Sequence, residues 1–122
     1  MILNHLGVVV SNLTKSEDFY CRALGCTLSG RWQNDELKAV NLQCAGLTIE
    51  LLEYVSPSQT YTPAGVINHL AFKVQDIEAQ IERLNKLGAA FETVSPKIVA
   101  SNKKIIFFHG PDGERIELVE EN

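Results

Sequence analysis

The feature that most constrains this chain is an internal repeat that divides it into two halves. The segment Asn68-His-Leu70 repeats Asn4-His-Leu6, and each copy opens one half. The halves also close alike, because Ile49-Glu-Leu-Leu-Glu53 matches Ile116-Glu-Leu-Val-Glu120. Self-similarity of this kind is typical of a structure assembled from duplicated units. The repeat selects one histidine and one glutamate from each half: His5, Glu50, His69 and Glu117.

The hydrophobic pattern predicts the same order of elements, β-α-β-β-β, in both halves. In the first half, Asn12 is a candidate N-cap and Gly25 a C-terminal stop, which predicts a helix over 13–24. In the second half, Asp76 is the candidate N-cap of a helix over 77–87. The predicted strands are 3–10, 27–33, 37–44 and 47–53, then 66–74, 90–94, 103–109 and 115–120.

Two prolines and little periodicity indicate a linker over residues 54–65. We therefore expect a first module over 1–53 and a second module over 66–122, which together make one domain. The sequence predicts a fold of the α+β class, built from two tandem βαβββ modules.

Composition and charge exclude several classes of partner. The formal net charge of −4 argues against a nucleic-acid partner, which needs clustered Lys and Arg. No apolar run approaches the ~18 residues of a membrane span, and no signal-peptide pattern precedes the first predicted strand. The cysteines include no C-x-x-C pair, so we expect free thiols in a reducing cytoplasm. They are Cys21, Cys26 and Cys44.

Alternation along the strands places the four selected residues on a common face. Leu6 and Leu70 begin apolar alternations that are expected to face the helices, so His5 and His69 point to the other face. Glu50 and Glu117 point away from the helices as well, because each lies between two apolar strand residues. Small residues beside the histidines, Gly7 and Ala71, leave room on that face.

Carboxylates on such a face need a partner, since a buried charge costs several kcal/mol unless it is paired or metal-bound. Taken singly, each of the four residues is more often a structural or solvated group. Both halves place the same pair in matching strands, however, which favours a shared role. Two neutral imidazoles and two carboxylates would bind a divalent metal without net charge, and nickel, cobalt, zinc or manganese would suit them.

These residues and their surroundings resemble the vicinal oxygen chelate superfamily, which includes glyoxalase I and methylmalonyl-CoA epimerase. The resemblance covers nearly the whole chain and implies the glyoxalase/bleomycin resistance/dioxygenase fold, a cupped mixed sheet around a metal. It implies metal ligands at His5, Glu50, His69 and Glu117. The motifs that carry it are His5-Leu-Gly-Val-Val-Val10, Phe19-Tyr20 with Leu24-Gly25, His69-Leu-Ala-Phe-Lys-Val-Gln-Asp76, and Gly110-Pro-Asp-Gly-Glu-Arg-Ile-Glu-Leu-Val119.

Four retained ligand positions resemble the isomerising branch of this superfamily. Its thiol transferases and extradiol dioxygenases use three protein ligands and have no carboxylate at the position of Glu50, and its bleomycin-binding members lack the metal set. The resemblance thus implies a metal-dependent lyase or isomerase of the glyoxalase I (lactoylglutathione lyase) type, acting through an enediolate on a small α-oxo substrate. Glu117 is the first-choice base, Glu50 is its counterpart, and the histidines are ligands only.

Other activities of the same fold stay open at this stage. The second module also looks like that of the methylmalonyl-CoA epimerases, so an acyl-CoA epimerase is the first alternative. A thiol transferase is another. A metal-free protein that binds a drug or effector is a third, and its aromatic walls would be Trp32, Tyr54 and Tyr61.

The residues expected to contact substrate depart from the glyoxalase I pattern. Bacterial glyoxalase I enzymes carry an arginine, which helps to hold glutathione, where this chain has Val9. Lys73, in the matching place of the second half, either supplies the missing charge for glutathione or another thiol or lies at the solvated rim of the site. Trp32 and Lys97 complete the expected set. Lys97 lies in the predicted loop 95–102, which is either a lid over an anionic ligand or an ordinary surface loop.

The small modules leave sheet edges open. Relatives in this superfamily close such edges by pairing modules across a two-fold axis, so we expect a homodimer that acts on a small molecule.

Overall fold

The computed structural model describes residues 4–56, 67, 69–99 and 102–121. The chain divides into two compact units, Met1–Thr62 and Pro63–Asn122, here called the first and second modules. Residues 57–65 of the predicted linker, including Tyr61, lie outside the described residues. Within the described ranges, neither helix has the length and apolar character that a membrane crossing requires.

The first module contains helix α1 and a four-stranded sheet in the order β1-β4-β3-β2. Strand β1 runs parallel to β4, and the other neighbours are antiparallel. Helix α1 begins where Asn12 Oδ1 accepts from the backbone N–H of Lys15, and it ends at Gly25, whose φ is 71°. The predicted helix bounds are thus confirmed. The elements are β1 (His5–Val9), α1 (Leu13–Leu24), β2 (Thr27–Gln33), β3 (Leu37–Cys44) and β4 (Leu47–Tyr54).

The second module repeats this plan with strand order β5-β9-β8-β6, and β7 also pairs with β8. Strand β5 runs parallel to β9, as β1 does to β4. Asp76 caps helix α2 by accepting from the N–H of Ala79. The elements are β5 (Leu70–Lys73), α2 (Ile77–Lys86), β6 (Ala90–Phe91), β7 (Lys97–Val99), β8 (Lys103–His109) and β9 (Arg115–Glu120).

Each module has its own core between its helix and one face of its sheet. Alternate residues of the central strands are buried there, which confirms that the apolar alternation faces the helices. Glu50 and Glu117 lie between these buried positions and so belong to the opposite face. In the first module the core includes Tyr20, Ala23, Val40, Leu42, Ile49 and Leu51; in the second, Ile77, Ile81, Leu84, Ile106, Phe108, Ile116 and Leu118.

The edge of the second sheet differs from the prediction. The expected strand over 90–94 contains only Ala90–Phe91, and the expected loop 95–102 contains the strand Lys97–Val99. The difference arises from strand pairing with β8. Phe91 pairs with Phe108, the chain then leaves the sheet, and it pairs with β8 again where Lys97 lies opposite Ile105. Val94, between these strands, is 99% exposed. The prediction of a free loop over 95–102 was wrong for 97–99.

The prediction of three free thiols was also wrong. Cys26 and Cys44 form a disulfide, and Cys21 is free. The register of the β2–β3 hairpin explains the bond. Thr27 pairs with Gln43, so Cys26 and Cys44 lie opposite each other at the next position, with Cα atoms 4.5 Å apart. Both bonded cysteines are buried. Desolvation, followed by the nearby acidic side chains, raises the pKa of Cys21.

Candidate functional site

In the first module, His5 and Glu50 are close together on the helix-free face. Their nearest atoms, His5 Nε2 and Glu50 Oε1, are 4.0 Å apart, and the Glu50 side chain is only 18% exposed. Gly7 on β1 lies opposite Glu50 in the parallel register, so the β1 residue next to Glu50 has no side chain that could crowd the carboxylate. His5 Nδ1 donates to Asn4 Oδ1 over 2.7 Å. Nε2, the other ring nitrogen, is on the side of the Glu50 carboxylate, where a neutral ring with its proton on Nδ1 would offer a lone pair to a ligand.

In the second module, His69 and Glu117 form the corresponding pair. His69 Nε2 and Glu117 Oε2 are 3.2 Å apart, and the Glu117 side chain is 13% exposed. Ala71 lies opposite Glu117 on β5, at the place that Gly7 takes in the first module. Phe107, on the other side of Glu117, meets the His69 ring edge-on at a centroid distance of 5.6 Å. The repeat therefore brings together one imidazole and one largely buried carboxylate in each module.

The surroundings of Glu50 include a polar contact that sequence reasoning did not assign. Trp32 Nε1 donates to Glu50 Oε2 over 3.0 Å. The indole crosses β3 beside Ala39, which lies opposite Trp32 and carries only a methyl group. Asn41, directly opposite Glu50 on β3, has a buried Oδ1 that accepts no hydrogen bond from the residues that the structure describes. The structure places the Trp32 indole against a candidate ligand, and its expected contact with substrate stays a prediction.

Glu117 has a different setting, because the Phe107 ring contacts its partner His69 and carries the Arg115 cation. The guanidinium of Arg115 lies over the Phe107 ring, 3.7 Å from its centroid. The same guanidinium donates two hydrogen bonds to Glu92, over 2.7 and 2.9 Å, and His109 Nε2 is 3.0 Å from that carboxylate. Arg115 lowers the pKa of Glu92, and Glu92 raises the pKa of Arg115. His109, expected at the surface and outside the site, takes part in this ion network.

The remaining predicted substrate contacts lie in ordinary surface settings. Lys73 is 69% exposed, and its ammonium is 3.4 Å from Glu121 Oε2. Lys97 is exposed on β7. Val9 is half-buried on β1 and lies opposite Leu52.

Two further glutamates belong to the repeat, and sequence reasoning missed their role. Glu53 Oε2 accepts from the backbone N–H of Leu13 over 2.9 Å, and Glu120 Oε2 accepts from that of Ile77 over 2.7 Å. Each carboxylate therefore caps the helix of its own module at the positive end of the helix dipole. The signal was present in the sequence, because both closing segments end in glutamate three residues after the candidate ligand.

The donor chemistry of each pair suits a divalent ion. Imidazole nitrogen and carboxylate oxygen atoms about 2.1 Å from one ion lie roughly 3 to 3.5 Å apart at ordinary coordination angles. The His69–Glu117 separation of 3.2 Å fits this range, and the His5–Glu50 separation of 4.0 Å needs a small side-chain adjustment. No group of three or more His, Cys, Asp or Glu side chains able to hold a metal occurs among the residues that the structure describes. Each module thus supplies a pair of candidate ligands.

The chain belongs to the Glyoxalase/Bleomycin resistance protein/Dioxygenase superfamily, whose family model matches residues 2–118. This match confirms the resemblance drawn from the repeated His and Glu motifs. It also confirms the α+β fold class.

Similar proteins in this superfamily carry out different reactions. The glutathione transferase FosA of Serratia marcescens is 34% identical, over 95% of this chain and 78% of its own. An ethylmalonyl-CoA/methylmalonyl-CoA epimerase of Cereibacter sphaeroides is 29% identical, over 90% and 89%. The lactoylglutathione lyase of Escherichia coli O157:H7 is 28% identical, over 99% and 93%. The similarity therefore identifies the superfamily, and the similar proteins belong to several classes of enzyme.

Solved structures agree with the fold. A glyoxalase family protein from Enterococcus faecalis superposes with a TM-score of 0.80 at 27% identity, over 98% of this chain and 97% of its own. The fosfomycin resistance protein FosX of Listeria monocytogenes, complexed with Mn(II) and sulfate, superposes with a TM-score of 0.79 at 22% identity, over 100% and 95%.

Proposed function

We propose that this chain is a divalent-metal enzyme of the isomerising kind, in which His5, Glu50, His69 and Glu117 bind the ion. Its reaction is the glyoxalase I type, a proton transfer on a small α-oxo substrate, with glutathione or another thiol as co-substrate. The observation that carries the proposal is the duplicated pair. Each module sets an imidazole Nε2 within 4.0 Å of a largely buried carboxylate on its helix-free face.

A bound divalent ion supplies Lewis-acid chemistry, since it polarises a carbonyl and offsets the negative charge that develops on it. Glu117 accepts the proton from the carbon next to the carbonyl, and Glu50 is its counterpart on the other side of the substrate. His5 and His69 act as neutral ligands. The contact of Asn4 Oδ1 with His5 Nδ1 supports this role, because it suits the tautomer that keeps its proton on Nδ1 and offers Nε2 to a metal.

Epimerisation of an acyl-CoA is the second candidate, because it needs the same proton abstraction next to a carbonyl. Two observations favour it: the epimerase of Cereibacter sphaeroides is 29% identical, and Val9 provides no charge for the glutathione carboxylate. Thiol transfer is the third candidate, supported by the 34% identity to FosA. The carboxylate at position 50 argues for the first two candidates, since the thiol transferases of this superfamily use three ligands.

Metal content tests the ligand set. Protein purified without added metal is dialysed against Mn²⁺, Co²⁺, Ni²⁺ or Zn²⁺, and bound metal is measured by mass spectrometry. We expect about one ion per complete set of four ligands, and His5→Ala and His69→Ala should each lose most of it. His109→Ala is the matched control, because its ring contacts Glu92 and belongs to neither pair. Full metal content in both ligand variants would refute the four-ligand set.

Mixing the two ligand variants tests which chains supply the pairs. His5→Ala and His69→Ala are unfolded together, refolded and assayed for bound metal. If complete sets combine the first module of one chain with the second module of its partner, mixed dimers regain one intact set. If each chain supplies its own four ligands, mixing restores nothing.

Turnover assays separate the candidate reactions. The metal-loaded protein is tested with methylglyoxal plus glutathione, with 2-methylmalonyl-CoA, and with fosfomycin plus a thiol. Turnover of the first supports the proposed reaction, and turnover of only the second or third replaces it with the corresponding alternative. A chain that binds no divalent ion and turns over none of them would favour the metal-free binding protein.

A further inference from the structure

The two oxygens of Glu50 face different groups, which suggests different tasks for them. Oε1 faces His5 Nε2, at 4.0 Å, and Oε2 accepts the indole N–H of Trp32, at 3.0 Å. A carboxylate held on one oxygen by a rigid ring has a defined plane. In that arrangement, Oε1 is the oxygen available to a ligand on the His5 side.

Glu117 is not held in this way in the part of the chain that the structure describes. Its position in the register is flanked by Ala71 and Phe107, neither of which has a side-chain N–H or O–H. Its close ionic partner there is His69, at 3.2 Å. The two pseudo-equivalent glutamates are therefore distinguished by an indole donor that only Glu50 receives.

We infer that Trp32 is a positioning residue: its indole N–H fixes Oε2 of Glu50, so that Glu50 serves as a fixed ligand through Oε1 and Glu117 is left to move the proton. The roles of Glu50 as a ligand and of Glu117 as the base rest on the proposed function. The hydrogen bond from Trp32 to Oε2 of Glu50 does not depend on it. A donor on Oε2 occupies one of the two lone pairs of that oxygen and stabilises its negative charge, which makes Glu50 a poorer proton acceptor than a carboxylate without such a donor.

Trp32 is the only tryptophan of the chain, so its indole N–H gives a single signal in a ¹⁵N-labelled sample. We compare this signal in metal-free wild-type protein, Glu50→Gln and Glu117→Gln. The first substitution replaces a charged acceptor with a neutral one and should move the signal clearly; the second should leave it in place. An unmoved signal in Glu50→Gln, or equal movement in both variants, would overturn the inference.

Metal affinity provides the second readout. Trp32→Phe keeps an aromatic ring and removes the donor, and we expect its affinity for Mn²⁺ to fall about 10-fold or more, the usual effect of removing a group that orients a ligand. The matched control is Leu28→Ala, which removes another exposed apolar side chain from β2 and should bind Mn²⁺ as wild type does. Wild-type affinity in Trp32→Phe would overturn the positioning role.

The two experiments separate this inference from the proposed function. A wild-type chain that binds none of Mn²⁺, Co²⁺, Ni²⁺ and Zn²⁺ would refute the proposed metal enzyme, and the metal-free indole signal would still decide whether Trp32 holds Glu50. If wild type binds Mn²⁺ but the indole signal is the same in wild type and Glu50→Gln, the metal site is supported and the role of Trp32 is refuted.

Discussion

In the first module, the edge strand β2 is continuous and carries the indole that holds Glu50, whereas the corresponding edge of the second module is split into β6 and β7. Neither β6 nor β7 contains a tryptophan. Glu117 instead lies opposite Phe107, and the guanidinium of Arg115, which is hydrogen-bonded to Glu92, lies over that ring. The paired positions of a duplicated fold have thus acquired different neighbours. The comparison shows that equivalence in sequence does not imply equivalence in chemistry, because strand-edge residues decide how each glutamate is held.

The largest expected difference between the modules is in turnover. Glu117→Gln keeps the shape and one oxygen of the side chain but loses the basic carboxylate, so we expect turnover to fall by about 10²-fold or more with most metal retained. Glu50→Gln should reduce turnover less at saturating metal, because Glu117 is the first proton acceptor and the contact with Trp32 is inferred to make Glu50 chiefly a ligand. The measurement is kcat for each variant with excess metal. Near-normal kcat in Glu117→Gln would refute its assignment as the base, and equal losses in both variants would remove the distinction between the modules.

The disulfide gives the first module a constraint that its counterpart lacks among the described residues. Cys26 and Cys44 are 18 residues apart, and closing a loop of about 15 residues stabilises a protein by about 3 kcal/mol. We expect the double variant Cys26→Ala/Cys44→Ala to lower the free energy of unfolding by about that amount, as measured by urea denaturation. Cys21→Ala, which removes the free thiol, is the control and should change little. Equal stability of wild type with and without dithiothreitol would contradict the prediction.

The helix caps should be equivalent in the two modules, unlike the candidate ligands. Glu53→Ala and Glu120→Ala each remove a carboxylate that accepts from the first turn of a helix, and each should cost about 1 kcal/mol of stability. Glu36→Ala, at an exposed turn position, controls for the loss of one negative charge. Urea denaturation of the three variants provides the test. A loss confined to one cap would show that the repeat is not energetically symmetric there.

The smallest expected effect is on the acid response. The pKa of Glu92 is lowered by its hydrogen bond to Arg115, and that of Glu121 by Lys103 and Lys73; all of these residues lie in the second module. Because the folded-state pKa values are depressed, the stabilisation is present above the ordinary glutamate pKa. It is lost as the pH falls through the lowered values. These groups are exposed, so the effect is small.

Urea denaturation of wild type and of Glu92→Gln/Glu121→Gln at pH 7 and pH 3 tests this sign. The double variant should be slightly less stable than wild type at pH 7, and the difference should shrink at pH 3. A difference that grows on acidification would mean that the sign is wrong.

Much of the fold was predictable because its signals are local. Asn12, Gly25 and Asp76 mark helix ends through their own backbone and side-chain chemistry, and the structure places the caps at those residues. The edge of the second sheet was not predictable in the same way. Residues 90–99 carry no strong alternation, and their strands are set by which positions of β8 remain open for pairing. The disulfide depended on register, which a residue-by-residue pattern does not contain.

For the candidate site, the amino-acid pattern was enough to show which residue types recur and on which face of a strand they lie. His5, Glu50, His69 and Glu117 follow from the repeat and from strand alternation, both of which are properties of the chain alone. The neighbours of these residues depend on tertiary contacts: Trp32 is two strands away from Glu50, and Phe107 contacts both Arg115 and His69. A hydrogen bond or a ring contact requires two side chains that meet across strands. Whether they meet is fixed by pairing register and packing, which act between residues far apart in the sequence.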